Sequence, residues 1–100
     1  MSQQQAPEGQ KQIQVKIPDE VLKGVYANMV QVGHTPEEFV LDFMNIVGTA
    51  GIVNARIIVS PGHFKRLIAA MQGNLKRYEE QFGNIKESRE PDHKIGFRTE

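Results

Sequence analysis

Residues 24–47, GVYANMVQVGHTPEEFVLDFMNIV, decide the fold of this chain, because they fit either a β-hairpin or two helices. As a hairpin they belong to an antiparallel sheet. As two helices they follow an alternating stretch at residues 12–17 and complete the pattern of a ribbon-helix-helix DNA-binding protein. The fold class and the class of partner therefore both depend on this stretch.

Two local signals favour the pair of helices. Residues 18–20 can begin a first helix, and Thr35 with Glu38 three residues later fits a capping box at the start of a second. The preceding strand would then present polar side chains to the major groove. This alternative predicts a transcription regulator. The side chains that would read bases are Gln12, Gln14 and Lys16.

Charge and composition favour the hairpin. Residues 12–47 contain two basic and five acidic side chains, whereas a DNA-binding protein needs basic side chains to bind phosphates. The stretch is also rich in β-branched and aromatic residues, which favour strands. We therefore predict strands at residues 25–32 and 39–46, joined by a turn at residues 33–37, and keep the helix pair as the alternative.

The predicted hairpin is largely apolar on both faces. An antiparallel sheet with one solvated face would show a cleaner alternation of polar and apolar residues. One amphipathic helix can cover only one of the two faces, so we expect a second copy of the chain on the other, in a homodimer or higher oligomer. The residues predicted to form this oligomer or ligand face are Val25, Met29, Val40 and Met44.

Three further elements are predicted outside the hairpin. Residues 61–82 form a long helix, with Ser60 as N-cap, Pro61 in the first turn and Gly83 after the last turn. Residues 53–59 and residues 12–17 are predicted strands. The expected fold class is α+β: an antiparallel meander of about four strands followed by one long C-terminal helix, as a homo-oligomer. The apolar face of the helix consists of Phe64, Leu67, Ile68, Met71, Leu75, Tyr78 and Phe82.

Length and composition limit the class of protein. The chain has 100 residues, which suits one domain, predicted at residues 12–86 between a disordered tail at 1–11 and a flexible tail at 87–100. Twelve basic and twelve acidic side chains cancel, which disfavours nucleic acid and membrane surfaces as partners. There is no cysteine and no long apolar run, so we expect a cytoplasmic protein without a cofactor.

Few residues suggest chemistry. Asp42 is the exception on an apolar strand, and an ion pair with Arg56 on a neighbouring strand explains it better than a catalytic acid does. Ser60 lies close to His63 but lacks the context of a nucleophile elbow, so N-capping is its expected role. We predict no catalytic residue and no metal site. The three histidines, His34, His63 and His93, lack the paired spacing of metal ligands.

One charged surface is a candidate for a partner. Residues 61–86 contain five basic and two acidic side chains, and the basic ones recur eleven residues apart, on nearly the same side of the helix. An acidic protein or a nucleic-acid backbone could bind there, although a solvated helix face is the more ordinary explanation. The candidate partner-binding residues are Lys65, Arg66, Lys76 and Arg77.

Two runs resemble a bacterial family catalogued as domain of unknown function 3467. They are GVYANMVQVGHTPEEFVLDF at residues 24–43 and ARIIVSPGHFKRLIAAMQGNLKRYEEQFGNI at residues 55–85, and the resemblance extends over residues 13–85. The loop GTAGI at residues 48–52 departs from the family pattern, which has proline there. The family name implies no activity and no site residue. Strands followed by one long helix are also similar, in topology alone, to the export chaperone SecB.

The function expected from the sequence is binding without catalysis. An apolar sheet face, a groove beside the helix or a free sheet edge could hold a protein or peptide, as a chaperone does. The alternative is the ribbon-helix-helix regulator.

Overall fold

Three strands and one long helix make up most of the described chain. The computed structural model of the protein describes residues 12–87 and 95–99. The tail predicted at residues 1–11 lies outside the described residues, as do residues 88–94 and 100 of the second tail. In chain order the elements are α1 (Asp19–Leu22), β1 (Met29–His34), β2 (Phe39–Val47), β3 (Ala50–Val59) and α2 (Pro61–Phe82).

The stretch at residues 24–47 is a hairpin, and the alternative pair of helices is wrong. β1 and β2 pair antiparallel from Met29 opposite Met44 to His34 opposite Phe39. Thr35 does not cap a helix: its N–H donates to the Glu38 carbonyl at 2.9 Å, and its hydroxyl accepts from the Glu37 N–H at 3.2 Å. These bonds close the turn between the strands. Sheet pairing by β-branched and aromatic side chains has overridden the capping signal.

The second hairpin is tighter than the sequence suggested. β3 begins at Ala50, three residues before the predicted start, and pairs antiparallel with β2 from Val47 opposite Ala50 to Phe39 opposite Val59. The connection is therefore Gly48-Thr49, and Gly48 has a φ of 63°. A two-residue hairpin loop with glycine at its first position matches the twist of the flanking strands. The stretch GTAGI is thus mainly turn and strand.

The sheet has three strands in the order β1-β2-β3, and the fourth strand predicted at residues 12–17 is wrong for the described chain. The segment has no strand assignment, and its apolar side chains face solvent, with Ile13 and Val15 each 82% exposed. Alternation shows which side chains would share a face of a strand, but it does not by itself place a segment in a sheet. α1, which follows, is one turn rather than a first helix of a DNA reader.

The prediction for the long helix is confirmed at both ends. Ser60 is the N-cap, and its hydroxyl accepts a hydrogen bond from the His63 N–H at 3.2 Å. Gly83 ends the helix with a φ of 94°, and its N–H donates to the Glu79 carbonyl at 2.8 Å. Local capping signals therefore fix both ends of α2.

The core of the described chain is small and centred on β2. Leu41 and Met44 are the buried apolar residues, at 6% and 3% exposure. Because opposed residues of an antiparallel pair share a face, the register places Leu41 with Phe39 on one face and Met44 with Met29 on the other. We call the first the helix-side face, since Phe39 stacks on Phe64 of α2, and the second the opposite face.

Candidate functional site

The centre of the sheet holds one ion pair, between Asp42 on β2 and Arg56 on β3. The two residues are register partners on the opposite face. The guanidinium donates from Nε to Oδ1 at 2.7 Å and from Nη2 to Oδ2 at 2.9 Å. Asp42 is 5% exposed, whereas the Arg56 side chain is 57% exposed. The predicted pairing is confirmed, with the carboxylate buried and the guanidinium reaching solvent.

This pair suits a structural role better than catalysis. The hydrogen bonds from Arg56 hold the pKa of Asp42 below its ordinary value, although burial acts in the opposite direction. The same bonds raise the pKa of Arg56. Asp42 is therefore an anion at neutral pH, and each of its oxygens accepts a bond from Arg56. A carboxylate in this state does not serve as a general acid.

Two asparagines fix the chain before β1. Asn28 completes the sheet with its side chain: Nδ2 donates to the Ile46 carbonyl and Oδ1 accepts from the Ile46 N–H, both at 2.9 Å. Its backbone N–H donates to the Met44 carbonyl at 3.0 Å. A side-chain amide that replaces a backbone partner in this way explains why β1 begins at Met29 rather than at residue 25.

Asn54 is the second of these asparagines and lies in a β-bulge. The register between β2 and β3 shifts at Phe43 and Met44, so Asn54 has no partner residue on β2. Its Nδ2 donates to the Tyr26 carbonyl at 2.6 Å. The bulge thus aims one side chain at the segment that precedes β1 and ties that segment to the far strand of the sheet.

Three aromatic rings join the helix to the sheet. The rings of Phe39 and Phe64 are stacked, with centroids 4.1 Å apart and planes 4° apart. The ring of His34 lies against Phe39 with centroids 5.5 Å apart. α2 thus contacts the sheet through its first turn, and elsewhere the helix makes only sparse contact with the strands. No pattern in the sequence predicted this cluster.

The four residues predicted to form an oligomer or ligand face are only partly brought together. Met29 and Met44 are register partners, and Val40 lies on the same face two residue pairs beyond Asp42. Met44 is buried, while Met29 and Val40 are half-buried. Val25 lies before β1 and is exposed. The face therefore exists, but its centre is already covered within the chain.

The predicted basic residues of α2 are all exposed. Arg66 approaches His63, with 3.1 Å between Nη2 and Nδ1. The Nη1 atom of Arg77 lies near the backbone of Gly73. Lys76 lines a shallow groove with Leu75, Glu79 and neighbouring side chains. Their partner-binding role stays a prediction.

The described residues form no site of recognisable chemistry around the serine or the histidines. The Ser60 hydroxyl is engaged in capping α2, as predicted. His34 packs on Phe39, and His93 lies outside the described residues. Within residues 12–87 and 95–99, no three His, Cys, Asp or Glu side chains converge as metal ligands.

The two longest elements, β3 and α2, each leave an apolar surface exposed. The first is the outer edge of β3, which has no neighbouring strand in the described sheet. The second is the apolar side of α2, a helix in which no residue is buried. The exposed apolar residues of β3 are Ile52, Val53, Ile57 and Ile58, and those of α2 are Ile68, Met71, Leu75, Tyr78 and Phe82.

These features define a small α+β protein, an antiparallel three-stranded meander followed by one long helix. The chain belongs to a family described as "Protein of unknown function (DUF3467)", whose model matches residues 1–87. The resemblance found in the residues is thereby confirmed. No curated protein and no solved structure matches the chain. Neither helix in the described part of the chain is long and apolar enough to cross a membrane.

Proposed function

We propose that this protein is a non-enzymatic, homo-oligomeric binding module that takes an extended segment of another protein along the outer edge of β3. The edge of β3 carries this proposal. It is a ten-residue strand at the border of the sheet, and it contains neither proline nor lysine. Exposed edges of this kind are normally protected by such residues, because their free backbone groups recruit another strand.

The side chains of β3 favour the same kind of partner. Ile52, Val53, Ile57 and Ile58 are between 42% and 65% exposed. An added strand would satisfy backbone N–H and C=O groups along the edge, and these β-branched side chains would contact its alternate residues. The bulge at Asn54 leaves residues 55–59 as the regular part of the strand.

β1, the other edge strand, is the weaker candidate. It has six residues, one of which is Gly33. Its side chains include Gln31 and His34, and the ring of His34 already packs against the ring of Phe39. β3 is the longer strand, with ten residues against six, and it exposes more apolar side chains, so we assign the binding edge to β3. We keep the cytoplasm as the expected location.

The pairing of Asp42 with Arg56 supports a function without catalysis. The carboxylate and its partner Arg56 bind each other in a bidentate geometry, which leaves no oxygen of Asp42 without a donor. A regulator that reads DNA is not retained as a second function, since the residues of its second helix form β2.

A library of displayed linear decapeptides, selected on the full chain, tests the proposal. We expect binders whose affinity falls when alternate peptide amides are N-methylated, because those amides form the new ladder. Ile58→Lys should weaken binding at least tenfold, since lysine protects edges. Val21→Lys is the control, because Val21 has nearly the same exposure, 59% against 56%, and lies outside the sheet.

Two results would overturn the edge proposal. One is a selection that yields no binder. The other is a set of binders that are insensitive to both Ile58→Lys and N-methylation. Binders of widely different sequence would favour a chaperone-like role, because backbone bonds alone discriminate little between side chains.

A further inference from the structure

The exposed apolar side chains of α2 follow a heptad. Ile68, Met71, Leu75, Tyr78 and Phe82 are separated by three, four, three and four residues, which is the a and d spacing of a helix that packs along a second helix. We call these five residues the α2 seam. An ordinary surface helix of a globular domain shows a broader stripe with a period of 3.6 residues.

The α2 seam has no partner within the described chain. Its five side chains are between 41% and 65% exposed. Only Phe64 and Leu67, at the start of the helix, are half-buried among the large apolar residues of α2. The C-terminal two thirds of α2 therefore present a continuous apolar surface to solvent. Soluble monomers rarely expose large continuous apolar surfaces.

We infer that the α2 seam binds the α2 seam of a second copy of this chain, with the two helices antiparallel. A second copy supplies a complementary surface, because heptad seams interdigitate with one another at a shallow crossing angle. In the antiparallel register Met71 lies opposite Leu75 of the second copy, and Ile68 lies opposite Tyr78. Phe64 then lies opposite Phe82, and the twofold axis passes near Gly73.

Charge selects the antiparallel direction. Lys65 and Glu79 each follow a d position of the heptad, so both flank the seam on the same side. In the antiparallel register Lys65 of each copy comes opposite Glu79 of the other, twice per dimer. A parallel pair would place Glu79 beside Asn74 instead, with no opposite charge. Glu79 also accepts from the Ile85 N–H at 2.9 Å through Oε2, which leaves Oε1 for the lysine.

The area is of the size that a helix pair needs. Aromatic side chains bury about 150–250 Å² each, so the five seam side chains, two of them aromatic and all roughly half exposed, supply at most on the order of 500 Å² per copy. A standard interface buries about 800 Å² per partner. Flanking side chains such as Leu67 and the stem of Lys65 contribute the rest. The inference deepens the oligomeric part of the proposed function and is independent of peptide binding at β3.

Sedimentation equilibrium of the full chain with a charge exchange tests this pairing. We expect a dimer for the wild type, and a dissociation constant raised about tenfold or more by Lys65→Glu or Glu79→Lys, because each creates two like-charge contacts per dimer. The double variant should return to within about threefold of the wild type. Arg66→Glu makes the same change in charge away from the seam and should have little effect.

A cross-link gives a second readout that does not depend on these charges. The chain has no cysteine, so Gln72→Cys and Gln81→Cys each introduce one thiol. Residue 72 lies near the proposed twofold axis, whereas two copies of residue 81 lie about 25 Å apart along the helices. We expect a disulfide-linked dimer with Gln72→Cys alone, and circular dichroism should show that both variants keep the wild-type helix content.

The outcomes separate the pairing from the proposed function. A wild-type chain that stays monomeric at all concentrations would overturn both the helix pair and the oligomeric part of the function. A wild-type dimer whose double charge variant is not restored, or which cross-links equally at residues 72 and 81, would overturn the antiparallel helix pair alone.

Discussion

Asp42 and Arg56 face each other across β2 and β3, with Nε of the arginine 2.7 Å from Oδ1 of the aspartate. The pair sits beside the bulge, two residues from the point at which the register shifts. A one-residue slip of β3 would separate the two charges and leave a buried carboxylate without a donor. The ion pair therefore fixes the register of the second hairpin.

Removing Arg56 alone should destabilise the fold more than removing both Arg56 and Asp42. Arg56→Ala leaves Asp42 buried and unpaired, so we expect a clear fall in the urea midpoint of unfolding. Asp42→Leu combined with Arg56→Leu should recover much of the loss, because it leaves no unpaired charge. Arg77→Ala, which removes an exposed arginine from α2, is the control and should change the midpoint little. Equal midpoints for Arg56→Ala and Arg77→Ala would contradict this role.

Stability should fall in acid because of Asp42. Its pKa in the folded chain is lowered from an ordinary value of 3.8, so the unfolded chain binds the proton more readily. The stabilisation is complete above pH 3.8 and is lost as the pH falls through the lower, folded pKa. Denaturation between neutral pH and about pH 2 should show this loss. Asp42→Asn should have a flatter profile over the same range, and a profile of unchanged slope would exclude Asp42 as the cause.

Asn28 should be needed for its amide rather than for its shape. Asn28→Ala leaves the N–H and C=O of Ile46 without their partner, at a cost of about 1–2 kcal/mol. Asn28→Asp should not rescue stability, since a carboxylate cannot donate to the Ile46 carbonyl at neutral pH. Urea unfolding measures the free energy of unfolding of both Asn28 variants, with Asn84→Ala as the control. A rescue by aspartate would show that only the accepted bond matters.

Two glycines should respond to alanine with opposite signs. Gly48 has a φ of 63° in the β2–β3 turn, so Gly48→Ala should destabilise by about 1 kcal/mol. Gly73 lies inside α2 with ordinary space for a methyl group, 3.7 Å from the nearest Arg77 atom. Gly73→Ala should therefore stabilise by about 0.5–1 kcal/mol. Thermal unfolding compares the two, and equal signs would be incompatible with these backbone conformations.

Local signals predicted the elements that depend on local chemistry. α2 was predicted with correct ends because Ser60 and Gly83 act within one turn of the helix. The hairpin at residues 24–47 was favoured by its β-branched content, which outweighed the capping box at Thr35, whereas its acidic charge argued only against a pair of helices that binds DNA. The Asp42–Arg56 pair followed from the cost of burying one charge alone.

Features that depend on contacts between distant parts of the chain could not be predicted from local patterns. The segment at residues 12–17 alternates as a strand does, but it has no strand assignment, and alternation alone does not decide whether a segment joins a sheet. The bonds of Asn28 to Ile46 and of Asn54 to Tyr26 span 18 and 28 residues, and no pattern in one sequence indicates them. Asparagine within a β-branched run was the single available hint, because it marks a bulge or a strand end.

Each strand of the sheet pairs only with the strand next to it in the chain, through the short turn that follows His34 and the two-residue turn at Gly48. Such contacts of low sequence separation close quickly and lose little loop entropy. During synthesis from the N-terminus, all three strands leave the ribosome before Pro61 does. The sheet can thus be complete when Phe64 emerges, so that the growing helix meets Phe39 on a surface that already exists.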